Sequence, residues 1–347
     1  MSDQIENPLC FPKPRLAICH VKKLNIIEEA TARGYEQMCL ISINPDGNPS
    51  AYYEINRKLR QCIYGEVRVG IELKPSIVPG LFVRTEVKVA IKVSSKARLA
   101  ASQNPNEDPV KEISTLQNME SHDNIIRFIE ALHDEKNIYS ITEFCDGGEL
   151  FEVIKNHGAL SEYQGRKCFR EILLGLAHIK RCGVVHRDLT LENVLLANGR
   201  CKIMDFGMCL LAPRCPTNGH ARRMPPQGPC GKKNYMAPEV LENISPFFGH
   251  LVDMWSLGII LFILLTGYPA MEAATALDPR FRMIRDGQLG RMLAEWNIKL
   301  TNEAVDLLQS MLKVNPYERL SINDILAHSW MLVDGRDGLE PESESNP

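Results

Sequence analysis

His186-Arg187-Asp188-Leu189-Thr190-Leu191-Glu192-Asn193, followed at close range by Asp205-Phe206-Gly207, gathers two carboxylates and an amide in one short stretch. Metal-assisted phosphoryl transfer requires this set of groups. Asp188 can accept the proton of an attacking hydroxyl, while Asn193 and Asp205 can hold Mg²⁺ ions that neutralise charge on the moving phosphoryl group. A carboxylate is both a proton acceptor and a hard oxygen ligand, an amide adds a neutral oxygen, and Gly207 lets the backbone turn beside a cation. Any one Asp taken alone reads equally as a solvated turn residue. Both motifs in this order, each preceded by an apolar run, point to chemistry.

The rest of the chain sets bounds. Its 347 residues suffice for one large two-lobed domain or two ordinary ones. A net charge of −3 gives no reason to expect a nucleic-acid groove or a membrane-binding surface. Eleven cysteines scattered from Cys10 to Cys230, with no C-x-x-C pair, read as free thiols of a reducing compartment, hence cytosol or nucleus. Met1-Ser2-Asp3-Gln4 has neither the basic start of a secretory signal nor the glycine that myristoylation needs. The apolar run from Leu257 to Thr266 is short for a bilayer and reads as a buried helix.

Residues 1–51 read as a partly ordered extension of unknown role, with a helical pattern from Lys22 to Met38 and a turn at Asn44-Pro45-Asp46-Gly47. From Tyr52 short runs rich in Val, Ile and Tyr predict a small antiparallel sheet, and after Gly147 helical periodicity dominates. The expected architecture is α+β: an N-terminal sheet lobe (52–142) with one main helix, and a larger helical C-terminal lobe (149–331), joined near Glu143 to Gly148. An acidic tail, 332–347, is expected to be disordered.

Residues 52–331 resemble eukaryotic protein kinases of the serine/threonine type, most of all those similar to the calcium/calmodulin-dependent group. In Val89-Ala90-Ile91-Lys92 the resemblance makes Lys92 the grip on the α- and β-phosphates of ATP. It makes Glu112 the ion-pair partner of Lys92, with Glu107 a rival at a less suitable spacing. Ile141-Thr142-Glu143-Phe144-Cys145 looks like the hinge, with Thr142 a small gatekeeper and backbone groups of Glu143 and Cys145 on the adenine edge. Leu59, Cys62, Gly65, Val67, Ala90, Glu149 and Leu195 complete the implied nucleotide site. Ala237-Pro238-Glu239 with Arg319 resembles the family's buried ion pair, and Asp253 resembles the acceptor that holds the catalytic loop. Glu192-Asn193 and Tyr235-Met236 favour serine/threonine over tyrosine substrates. Glu149 and Glu192 match acidic positions that face basic residues upstream of the acceptor, although ribose binding or a solvated helix start accounts for them equally. The implied function is a monomeric kinase that uses ATP and Mg²⁺ to phosphorylate protein substrates. The alternative is a catalytically silent scaffold of the same fold.

Four departures stand out. The phosphate-covering loop, Leu59-Arg60-Gln61-Cys62-Ile63-Tyr64-Gly65-Glu66-Val67, keeps one glycine of three, where backbone amides must approach phosphates closely. The stretch between Val67 and Lys92, about ten residues longer than in related kinases, is expected to be a surface loop. Thr190 stands where a lysine is usual, and Lys232 where a threonine is usual, so Lys232 is expected to supply the cation that Thr190 cannot. A solvated loop lysine is the alternative for Lys232. Finally, the usual phosphorylation position of the activation segment falls on Gly228, and only Thr217 and Tyr235 there carry hydroxyls, so the switch is Thr217, absent, or something else. The spacing of Cys209, Cys215, His220 and Cys230 fits no compact zinc pattern, and no basic amphipathic helix follows Trp330 to bind calmodulin.

Overall fold

In a computed structural model the described residues are 12–28, 31–102, 108–213 and 221–333. They fall into two compact units, one within Phe11–Gly147 and one starting at Gly148. Glu107, Thr217, Cys215, His220 and the acidic tail from 334 lie outside the described residues.

The first unit is a closed barrel of β1 (Ala17–Glu28), β2 (Thr31–Ile43), β3 (Pro49–Gln61), β4 (Gly65–Pro75), β5 (Leu81–Ser95), β6 (Phe128–His133) and β7 (Asn137–Glu143), in the order β1-β2-β3-β4-β5-β7-β6. Two expectations are corrected here. The Lys22–Met38 segment is not helical: it belongs to an antiparallel hairpin with Leu24 opposite Gln37 and Ile26 opposite Tyr35. Leu24 and Ile26 turn inward onto Cys39, Leu73, Tyr52 and Phe82, while Lys23 and Asn25 face out. The Glu, Ala, Lys and Gln content favours helix locally, but pairing with β3 and burial against it decide the outcome. A boundary at residue 52 therefore falls inside the barrel, because β2 pairs with β3 and β1 closes the sheet in parallel with both β6 and β5.

The expected surface loop before Lys92 is also mostly paired strand. Leu73 lies opposite Arg84 and Pro75 opposite Phe82, so the extra residues lengthen the β4–β5 hairpin, whose tip around Ile77 is exposed. Glu54, 1 % exposed, receives Arg84 through Nε at 2.6 Å and Nη2 at 2.7 Å, which satisfies a carboxylate that burial would otherwise penalise. Between β5 and β6 run α1 (Lys96–Ala101) and α2 (Pro109–Asn118). α2 starts where its sequence says it should: Asp108 caps the Val110 amide at 2.8 Å, and Pro109 occupies the first turn, where no N–H is needed.

The second unit is helical, as expected. β8 (Gly148–Glu149), β10 (Val194–Ala197) and β11 (Arg200–Ile203) form a small sheet beside α3 (Leu150–His157) and α4 (Glu162–Arg181). β9 (Val184–Val185) pairs with β12 (Leu210–Leu211). A Ser161/Gln164 capping box starts α4. After α5 (Pro238–Glu242) comes α6 (Gly249–Thr266), the one described helix long and apolar enough to cross a membrane. It is apolar all round because 89 % of it is buried within the unit. Five shorter helices, α7 (Pro279–Arg285), α8 (Leu289–Glu295), α9 (Asn302–Met311), α10 (Ile322–Leu326) and α11 (Ser329–Leu332), complete it.

Candidate active site

Each unit carries its own group of the residues singled out in the sequence. In the barrel, Lys92 on β5 lies opposite Val67 on β4 and Ser140 on β7, and Ala90 lies opposite Thr142. Lys92 Nζ reaches Glu112 Oε2 on α2 at 2.6 Å, with side chains 18 % and 11 % exposed. A lysine in so apolar a strand needs an anionic partner, and Glu112 is that partner. At the end of β7 the Glu143 N–H donates to the Arg127 carbonyl at 3.0 Å and its carboxylate receives the Arg127 N–H at 2.7 Å, which fixes the strand beside buried Cys145.

The glycine-poor loop is a tight hairpin. The Cys62 N–H donates to the Gly65 carbonyl at 2.8 Å and the Gly65 N–H returns at 3.4 Å, so both amides are spent on the hairpin. Tyr64 is buried, its hydroxyl 3.0 Å from Ser102 Oγ, whereas Leu59 is exposed. Gly65 survives for a steric reason: a Cβ there would stand 1.9 Å from the Val93 carbonyl oxygen. Of the implied nucleotide contacts, Cys62 and Gly65 therefore have no backbone N–H left to offer phosphates.

In the helical unit the catalytic-loop residues hang from Asp253 on α6. Its Oδ2 and Oδ1 accept the N–H groups of His186 and Arg187 at 2.8 and 2.9 Å. Burial raises its pKa to about 6, against those two donors and the Arg187 charge. His186 is buried and held neutral, its pKa lowered chiefly by desolvation. Its Nδ1 accepts the Asp188 N–H at 3.3 Å, and Nε2 donates to the Met204 carbonyl at 3.0 Å. One imidazole thus ties the catalytic loop to the strand that delivers Asp205. Arg187 and Asp205 have φ of 68° and 66°, a conformation costing about 1–3 kcal/mol for residues with a side chain.

Asn193, in a 3-10 turn over Leu191–Asn193, donates through Nδ2 to the Asp188 carbonyl at 2.8 Å and to Asp188 Oδ2 at 2.9 Å. Its amide oxygen is then the atom left to take a cation. Asp188 Oδ1 is buried and without a hydrogen-bond partner, as is Thr190 Oγ1. Asp205 Oδ1 receives the Gly207 N–H at 3.2 Å. Burial first, and the charge of Asp205 second, push the Asp188 pKa up to about 6, opposed by Asn193 and Lys232. Two carboxylates, an amide oxygen and an orphaned buried oxygen form a donor set that suits Mg²⁺ and a phosphoryl acceptor.

Lys232 is exposed but paired. Its Nζ lies 2.6 Å from Glu192 Oε1, and a small cleft is lined by Asp188, Thr190, Gly231, Lys232 and Tyr235. The approach depends on Gly231 (φ 85°), where a Cβ would meet the Arg187 carbonyl at 2.8 Å and Asp188 Oδ1 at 2.9 Å. Glu149 lies opposite Leu195 where β8 pairs with β10. Below the cleft Arg319 grips Glu239 at 2.7 Å through both Nη atoms and also donates to the carbonyls of Leu251, Lys313 and Val314. Sequence reasoning missed Gly231 and the paired role of His186; the glycine between Cys230 and Lys232 was a visible signal for the first.

Residues 76–331 match the family model of the protein kinase domain, so β1 to β4 precede the matched span, which begins at the tip of the β4–β5 hairpin. CBL-interacting protein kinase 21 of Oryza sativa subsp. japonica is 34 % identical over 284 residues, covering 81 % of this chain and 49 % of its own length. CBL-interacting protein kinase 1 of the same organism is 33 % identical over 284 residues, with 81 % and 56 % covered. CBL-interacting serine/threonine-protein kinase 17 of Arabidopsis thaliana is 35 % identical over 284 residues, with 81 % and 60 % covered. The chain thus spans about half the length of such relatives.

Proposed function

Because the chain belongs to the protein kinase family, we propose that it transfers the γ-phosphoryl group of ATP to serine or threonine hydroxyls of proteins, with Mg²⁺ held by Asn193 and Asp205. The observation that carries this reading is the state of Asp188. Asn193 occupies Oδ2, which leaves Oδ1, buried beside Gly231, as the oxygen to take the proton of the acceptor hydroxyl. A pKa of about 6 leaves it ionised at neutral pH yet more basic than an ordinary aspartate. Mg²⁺ supplies charge neutralisation at the phosphates. Lys92, steadied by Glu112, grips the α- and β-phosphates, and Lys232 adds a cation beside Asp188 in place of the usual lysine at position 190.

The adenine edge is assigned to backbone groups of Glu143 and Cys145 with Thr142 as gatekeeper, and the pocket walls to Leu59, Val67, Ala90 and Leu195. Glu192 is already neutralised by Lys232, which leaves Glu149 to carry any preference for basic residues upstream of the acceptor. None of the nine described cysteines is in a disulfide, which supports a reducing compartment, cytosol or nucleus. The test is ³²P transfer from ATP·Mg²⁺ to an arginine-rich serine/threonine peptide, beside an Asp188→Asn control. Transfer that vanishes in the control supports the reading; no transfer from the unaltered protein, with no ATP binding by thermal shift, replaces it with the scaffold alternative.

A further inference from the structure

α2 carries Glu112, yet ten residues are too few for a helix to hold itself in place, so its position is set by what touches it. One such contact comes from the far N-terminal side. The Arg15 N–H donates to Gln117 Oε1 at 2.9 Å, and Gln117 Nε2 donates to the Arg15 carbonyl at 2.7 Å. The side-chain amide of Gln117 thus pairs with the Arg15 backbone as a neighbouring strand would. One turn back, Ser114 Oγ donates to the Pro12 carbonyl. Leu16 then packs on Ile113, Ala131 and Ile138, and at Ala17 the same chain enters β1, paired in parallel with β6.

The geometry of the helix gives this strap a consequence. Ser114 and Gln117, three apart, share one face, whereas Glu112, two residues before Ser114, is turned by about 200° from it. α2 is therefore held from two sides, by the strap on one face and by Lys92 on the other. We propose that Pro12–Leu16 is an intramolecular clamp that holds Glu112 against Lys92, with Ser114 and Gln117 as positioning residues. The proposal rests on the reading of Lys92 and Glu112 as the phosphate grip. Loss of the clamp shifts α2 toward positions in which Glu112 leaves Lys92, and the competent fraction falls accordingly.

The test uses the full chain. Ser114→Ala/Gln117→Ala, and separately Arg15→Pro, which removes the strap's N–H donor without touching α2, are measured alone and in a Glu112→Ala background. Thermal denaturation and hydrogen exchange of the α2 amides are followed alongside. The expected result is a roughly tenfold fall in kcat in the unaltered background, no further fall once Glu112 is gone, and faster exchange confined to α2. A contribution to stability alone would lower kcat by the same factor in both backgrounds, or leave it unchanged, and would overturn the clamp. Should the unaltered protein prove inactive, the kinase reading fails, and the exchange data still decide: α2 protection unchanged by both variants overturns the clamp on its own.

Discussion

Replacing Lys232 by threonine separates chemistry from stability. The Lys232–Glu192 pair is short, 2.6 Å, but the lysine side chain is 45 % exposed, so solvent screening holds its contribution to folding below about 1 kcal/mol. The effect on turnover is expected to be far larger. Without Lys232, Glu192, 15 % exposed and with Oε2 already unpartnered, keeps its charge beside Asp188 with no cation to oppose it. The Asp188 pKa, lowered in part by Lys232, then rises further, and the transferring phosphoryl loses a preorganised positive charge. Removing one such group typically costs about 2.7–4 kcal/mol of transition-state stabilisation, or about 10²–10³ in kcat. Steady-state turnover of a serine/threonine peptide, with differential scanning calorimetry on the same samples, measures both quantities. Adding Thr190→Lys should restore part of the loss, because position 190 lines the same cleft as Asp188 and Lys232. A Lys232→Thr protein that keeps kcat within about threefold would refute the exchange and leave Lys232 as a surface partner of Glu192.

Three further outcomes are expected. Arg319→Ala should lower stability by about 3–5 kcal/mol in urea denaturation, since it strands the Glu239 carboxylate and three backbone carbonyls; a loss below about 1 kcal/mol would contradict a buried pair. Gly65→Ala should cost about 1–3 kcal/mol by thermal denaturation as β4 moves off the Val93 carbonyl, and an unchanged melting temperature would mean that the hairpin is not packed as described. The pH profile of kcat/KM should show an acid limb near pH 6: Asp188, raised to about 6, works as the ionised base, so activity is full above that value and falls about tenfold per pH unit below it. A limb near pH 4 would mean that Asp188 titrates as an ordinary carboxylate.

The candidate site was legible in the sequence as a cluster, because its groups lie close together along the chain. Asp188 and Asn193 are bonded to each other across one turn, and α2 announces itself through Asp108-Pro109. Lys92 was legible for a different reason. A cation inside an apolar strand demands an anion, and the spacing implied by the kinase resemblance singled out Glu112 over Glu107. What was misread depends on partners far away. Nothing within Lys22–Met38 reveals that Ile26 will be buried among Leu73 and Phe82, so local helix propensity won on paper and lost in the barrel. The hairpin that lengthens β4 and β5 was taken for a loop on the same ground, since its pairing with β1 is invisible locally.

Gly65 is the instructive case. It was read as the last survivor of a phosphate-binding loop, but the pressure on that position comes from the Val93 carbonyl of the neighbouring strand. A glycine retained for packing and a glycine retained for a ligand leave the same letter in the sequence. The two requirements part at Cys62: phosphate approach alone demands a small residue there, and the hairpin, which closes its own amides through Cys62 and Gly65, does not. Loss of glycine at 60 and 62 with retention at 65 is therefore the pattern expected when the hairpin's packing, rather than amide contact with phosphate, governs this loop. On the proposed reading the phosphates are held by side chains rather than by these amides, and the grip of Lys92 depends on whatever keeps Glu112 beside it.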